Sequence, residues 1–318
     1  MNNNHLAPKS FEDQVALLKN RGMLFDNEKR AEKYLAYIGY QRLSIYWNVF
    51  YQNVKTKEHF VKGIKFEDIL NLYIFDRKLR GLFLEASERI EICMKVLLSD
   101  SMCMPSSDPF WYLNSSYFNV RTDKFFINGE KQKELCDHNW VLEKINDNLK
   151  KFSKNNSALK RFADVRQTPI PSWELVDILT FGLFSNVMSL VKGENSLNVY
   201  QQFDLPKKIL DNWLECVVGV RNICAHYGLL YRRSFSNTPM SLSKSKKRTS
   251  TIDLEPYKMT FYAQFFVYSY LINKISPTSS WTSRVKSLIS EHISNPLLSY
   301  DKMGFPSGWD KNPLFNNA

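Results

Sequence analysis

Arginine, asparagine and histidine stand close together at Arg221, Asn222 and His226, in the string Arg221-Asn222-Ile223-Cys224-Ala225-His226 near the end of an apolar run. Histidine moves a proton near neutral pH. Arginine holds a phosphate with a planar, permanently charged fork. On a helix, Asn222 and His226 are four positions apart and share a face. Arg221 lies five positions before His226, roughly 140° around the helix axis, so one helix does not easily aim both at one phosphate. Gly228 predicts that the helix ends near the histidine and frees its orientation. The length of the arginine adds reach. A second copy of the motif across a two-fold interface would complete the geometry, because such an interface brings identical patches together.

The chemistry open to these residues is the cutting of RNA. The 2′-hydroxyl is an internal nucleophile beside the phosphorus, and it separates RNA from DNA. His226 would take its proton or give one to the departing 5′-oxygen. Arg221 would neutralise charge growing on the non-bridging oxygens, and Asn222 would orient His226 or the phosphate. The expected products are a 2′,3′-cyclic phosphate and a 5′-hydroxyl. No metal or other cofactor is expected: His5, His59, His138, His226 and His292 are scattered without ligand spacing. The competing structural reading is that His226 only caps the helix C-terminus, where the dipole favours a cation. Neither a G-x-G-x-x-G nor a Walker loop, a G-x-S-x-G elbow or an H-E-x-x-H is present.

The elements that must hold the hexapeptide read as helices. Hydrophobic residues make up 44% of the chain and aromatics 14%, which is globular composition, and glycine (11) and proline (12) are too sparse for a turn-rich β fold. A net charge of +11 points to a polyanionic partner, nucleic acid before an anionic membrane. The five cysteines show no C-x-x-C pair, and Cys93, Cys216 and Cys224 fall in apolar stretches, as in a reducing compartment. No signal region is read at the N-terminus and no run of about 18 apolar residues is present. A cytoplasmic protein that does not span a membrane is expected.

Ser10 to Asn20 reads as a helix with Ser10 and Asp13 as a capping box, followed by one from about Asn27 to Ile38. From Lys65 to Leu98 apolar residues recur every three or four positions. Arg89 interrupts that face, and Glu85 can pair with it across one turn. The alternative is that Glu85 and Arg89, with Asp76, line the same cavity as the hexapeptide. Between 101 and 170 periodicity is lost, with breaks at Met102 to Pro109 and Asp164 to Pro171. Lys150, Lys151, Lys154, Lys160 and Arg161 make this insert basic, either a solvated face or a phosphate track. Further helices are expected from Pro171 to Val191, Leu205 to His226, Thr251 to Ile275 and Trp281 to Ile293. A polar loop between them carries Lys246, Lys247 and Arg248. The reading is an all-α chain: an N-terminal helical extension (1–60), a helical core (61–276) holding the insert, and a C-terminal helix and tail (277–318).

Several blocks then match a known family in order. Gln14, Leu17, Leu18, Arg21 and Gly22 are similar to an opening "Q-x-x-L-L-x-x-R-G"; Ile38 to Trp47 to "Y-R-L-S-x-Y-W"; Leu72 to Arg80 and Glu88 to Glu91 to "Y-x-F-D-R-x-L-R" and "E-R-I-E"; Pro171 to Trp173 and Leu179 to Gly182 to "P-x-W … L-S-F-G". Val220 to Arg233 is similar to "V-R-N-x-C-A-H-H-x-R-L-W-N-R", with Tyr227, Leu229 and Arg232 departing from it. From about Phe11 to Arg233 the chain thus resembles the abortive-infection AbiD/AbiF-like branch of the HEPN ribonucleases. The resemblance implies a HEPN-type helical bundle, a homodimeric ribonuclease site using Arg221, Asn222 and His226, and a toxin or abortive-infection role in phage defence. It also implies a small non-coding RNA partner that restrains the toxin. Lys150, Lys151, Lys154, Lys160, Arg161, Arg233, Lys246, Lys247 and Arg248 are the candidate RNA contacts. The rival expectation is a HEPN-like module that binds its RNA without turnover.

Overall fold

The chain enters its first helix, α1 (Phe11–Asn20), through a capping box in which Ser10 and Asp13 satisfy each other's backbone N–H groups. The computed structural model describes residues 8–127, 130–154, 159, 161–162, 164–242 and 252–316, with the backbone alone at 124–127 and 130–131. Asn27 caps α2 (Glu28–Ile38), and Gly39, at φ +91°, turns the chain directly into α3 (Tyr40–Trp47). Only glycine enters that backbone region without strain.

The axis of the molecule is α4 (Phe66–Ser106), 41 residues long. Its Phe75, Leu79, Phe83, Ile90 and Met94 are fully buried, and a helix this apolar must be covered by others. It is covered by α3, α6 (Ser172–Ile178), α7 (Phe181–Leu190), α8 (Leu197–Gln202), α9 (Lys207–Ala225), α10 (Phe261–Ile275) and α11 (Trp281–His292). A short α12 (Tyr300–Met303) follows, and Phe305, Trp309 and Phe315 close an aromatic cluster over Phe265. One hydrophobic core includes residues from Val15 to Phe315. Among the described residues the chain is all-α apart from one hairpin, as its composition predicts.

Several expectations need correction, among them the helix expected from Thr251, which begins only at Phe261. The break at Met102 does not occur: α4 runs through Pro105, and Ser106 Oγ donates to the Met102 carbonyl 2.9 Å away. The single helix expected from Pro171 to Val191 is two. Thr180 Oγ1 accepts from the Leu183 N–H and starts α7 as an N-cap, while Lys95 Nζ donates to the Leu179 carbonyl at 2.7 Å, inside the break. Finally, the insert holds strands, β1 (Arg121–Ile127) and β2 (Glu130–Cys136), paired antiparallel with Arg121 opposite Cys136, followed by α5 (His138–Ser153). The signal was present as Asn128-Gly129, a pair favoured in two-residue hairpin connections.

Candidate functional site

Helix α9 is apolar on the faces that carry Leu210, Trp213, Leu214, Val217 and Val220, all buried, and it lies against α4, α7 and α10. That packing leaves its last turn at the surface. Asn222 and His226 are exposed, Arg221 is half-buried, and Cys224 between them is buried. Arg221 Nη1 donates to Asn222 Oδ1 at 3.2 Å. Asn222 shares a helix face with His226, and its amide oxygen holds the neighbouring guanidinium. The bond gives Asn222 a partner that sequence reasoning did not single out.

The helix ends as predicted, but one residue away from the expected device. His226 is the C-cap, and Tyr227, not a glycine, takes the left-handed conformation at φ +59°. The Tyr227 N–H bonds the Cys224 carbonyl (3.1 Å) and the Gly228 N–H bonds the Ile223 carbonyl (2.7 Å), the paired bonds of a Schellman turn. A non-glycine residue there costs about 1–2 kcal/mol. Gly228 is required by closeness instead: a Cβ at that position would lie 2.9 Å from Ile223 Cγ2 and 3.1 Å from the Ile223 carbonyl oxygen.

What holds this strained turn lies on α3 and α4. Asp76 is fully buried. Its Oδ1 accepts from the backbone N–H groups of Leu230 (3.0 Å) and Tyr231 (2.8 Å), and its Oδ2 from Tyr46 Oη (2.9 Å) and Arg80 Nη1. Arg80, 4% exposed, also donates to Tyr46 Oη (3.0 Å) and to the Gly228 carbonyl (3.4 Å). Burial pushes the Asp76 carboxyl above its ordinary value, against the pull of these donors. Burial, reinforced by Asp76, likewise pushes the Tyr46 phenol up, so it remains a donor. On the outside, Arg42 Nη1 donates to the Tyr227 carbonyl (2.8 Å) and its guanidinium lies over the Tyr227 ring. Arg233 curls back to the Leu229 carbonyl (3.5 Å). The backbone from Tyr227 to Tyr231 is therefore tied at nearly every residue, which is how buried or strained backbone must be satisfied.

Arg42, Arg221 and Arg233 direct these hydrogen bonds to carbonyl and amide oxygens. None of those acceptors is a carboxylate, so each guanidinium keeps its charge for an outside anion. Of these residues, Arg42, Tyr46 and Arg80 escaped sequence reasoning as site residues. The signal was an Asp and an Arg four apart, Asp76 and Arg80, inside an otherwise apolar helix.

The other candidates sit elsewhere. Asp76 reaches the turn and holds its backbone. Glu85 and Arg89 do pair, at 2.9 Å, but they remain 33% and 44% exposed, and their further bonds go to Arg284 of α11 and to Ser279. The pair staples α4 to the C-terminal helix. Lys150, Lys151 and Lys154 are exposed at the C-terminal end of α5, where cations also suit the helix dipole. Arg161 lies over Phe162 and faces Glu174 at 3.6 Å. Lys160, Lys246, Lys247 and Arg248 lie outside the described residues. No described helix is long and apolar enough to cross a membrane.

These elements define a helical protein with a cationic helix-end turn. The model of the Abi-like protein family matches residues 33–232, and the chain belongs to that family. The matched stretch contains Arg42, Tyr46, Asp76, Arg80, Arg221 and His226 and stops one residue short of Arg233. The opening block from Gln14 to Gly22 falls outside it. Membership points to abortive infection as the setting in which the chain acts. No curated protein and no solved structure matches it.

Proposed function

We propose that the chain is a metal-independent endoribonuclease of the HEPN type, acting as an abortive-infection effector and restrained by a small RNA. The observation that carries the reading is the exposed end of α9, where the Arg221 fork rests on Asn222 beside the exposed His226. In the reaction the 2′-oxygen attacks the adjacent phosphorus and the bond from phosphorus to the 5′-oxygen breaks. One histidine removes the 2′-proton and one protonates the leaving oxygen. A single chain offers one His226, so the reading places a second copy of the chain opposite the first, each contributing one histidine. Arg221 stabilises the negative charge growing on the phosphoryl oxygens, with Arg42 and Arg233 holding flanking phosphates. The charge of +11 favours long polyanions, and Lys150, Lys151 and Lys154 supply sequence-independent contacts to them.

Purified protein stripped of nucleic acid at high salt should cleave labelled total RNA in EDTA and leave 2′,3′-cyclic phosphate ends. Arg221→Ala and His226→Ala should not, while both remain folded. Wild type that carries a discrete RNA yet cuts nothing would replace this reading with that of a stable RNA-binding module.

A further inference from the structure

Helices α1 and α3 and the chain around Tyr51 and Lys57 line a half-open cavity of about 620 Å³, on a different face of α3 from the one that grips the hexapeptide turn. Among the described residues three cations line it, Lys9, Arg21 and Lys57, and no carboxylate does. Arg21 is held in place by hydrogen bonds from Nη1 to Tyr51 Oη (3.1 Å) and Tyr40 Oη (3.3 Å), with its guanidinium over the Tyr51 ring. Neither phenol neutralises it, so a fixed fork stands in the wall with its charge uncompensated. Such a fork suits a phosphate.

The rest of the lining does not resemble a plain anion cradle. Three side-chain amides, Gln14, Gln41 and Asn48, share the wall with the tyrosines and Trp47. Gln14 Oε1 and Trp47 Nε1 are both buried with no hydrogen-bond partner, and buried polar atoms in native proteins are nearly always paired. Amides that both donate and accept can read the edge of a base, and aromatic rings give it a face to lie on. The volume lies within the range of small-molecule sites.

We propose that this cavity binds a nucleoside phosphate, either a free nucleotide or the 5′-phosphorylated end of an RNA. The phosphate sits on Arg21 with Lys9 and Lys57, and the base lies among Gln14, Gln41, Asn48 and the aromatic rings. The site is also wired to the turn. Helix α3 gives Tyr40, Gln41, Ser44 and Trp47 to the cavity and Arg42 and Tyr46 to the turn. Occupancy therefore bears on the placement of His226, a consequence that rests on the ribonuclease reading; binding itself does not.

The test is a calorimetric titration of the full chain carrying His226→Ala, which removes cleavage as a complication. The probes are AMP, adenosine, inorganic phosphate and a 5′-phosphorylated trinucleotide beside its 5′-hydroxyl form. AMP is expected to bind, with adenosine weaker by about tenfold or more, the equivalent of about 1.4 kcal/mol. Lys9→Glu with Lys57→Glu, both on exposed side chains, should weaken AMP by a similar factor with the melting temperature unchanged. A phosphorylated trinucleotide binding more tightly than AMP, and displaced by it, would assign the site to RNA ends; AMP binding more tightly would assign it to free nucleotide. Absence of AMP binding, equal affinity for adenosine and AMP, or affinity unmoved by the double charge reversal would overturn the proposal. Because binding is read directly, a failure of RNA cleavage would not be mistaken for a failure of this site.

Discussion

Two acid–base pairs at the same spacing on the same helix do different work. Asp76–Arg80 and Glu85–Arg89 are each one helical turn apart on α4, yet the side chains of the first pair are 0% and 5% exposed and those of the second 33% and 44%. The buried pair directs its further hydrogen bonds to Tyr46 and the backbone of residues 228–231. The outer pair reaches Arg284 and Ser279 and is solvated. Burial decides the energetics. A solvated pair contributes about 0–1 kcal/mol, because water competes for both ends. A buried pair that loses one partner leaves an uncompensated charge, at a cost of about 3–5 kcal/mol.

The largest expected effect is therefore Asp76→Ala, a loss of about 3–5 kcal/mol in urea unfolding. It should carry a local signature as well. Burial has pushed the Cys224 thiol up to about 12, so in the native protein it resists thiol reagents at neutral pH. Releasing the turn should make Cys224 label faster, whereas Glu85→Ala should leave its labelling unchanged. Equal labelling in the two variants would break the distinction between the pairs. Next in size is Gly228→Ala, about 1–3 kcal/mol of overpacking against Ile223, with cleavage impaired because the cap at His226 must shift. Retained stability and activity would show that the turn tolerates a Cβ. Smallest is Glu85→Ala, under about 1 kcal/mol and shrinking further in high salt. A loss of several kcal/mol there would place the outer pair on the same footing as the buried one.

The same contrast shows what a sequence can and cannot carry. Ser10, Asp13 and Asn27 announce helix starts through local hydrogen bonding, and the three-and-four spacing from Leu79 to Leu98 announces a core helix; both are short-range facts. Arg221, Asn222 and His226 stand out only because their surroundings resemble a family, since the string alone is common at helix ends. Asp76–Arg80 and Glu85–Arg89 are indistinguishable by spacing, since only the arrival of α3 and the 228–231 loop over the first pair, and of α11 over the second, separates them. Thr180 and Asn128-Gly129 carry local signals, which an apolar run masks in one case and a run of charges in the other. Tyr227 could not be foreseen in a left-handed position beside an available glycine, because the close approach of Ile223 claims that glycine for a different purpose.

On the proposed ribonuclease reading, the buried Asp76–Arg80–Tyr46 cluster sets the geometry of the α9 turn for cutting while its outer counterpart does not. The direct measurement is the single-turnover rate of RNA cleavage in EDTA by wild type, Asp76→Asn and Glu85→Gln, each checked for native folding. Glu85→Gln should cut at the wild-type rate. Asp76→Asn, still folded, should cut about 10²-fold more slowly, the order of loss that an ångström of misplacement brings. Equal rates in the two variants would contradict the account.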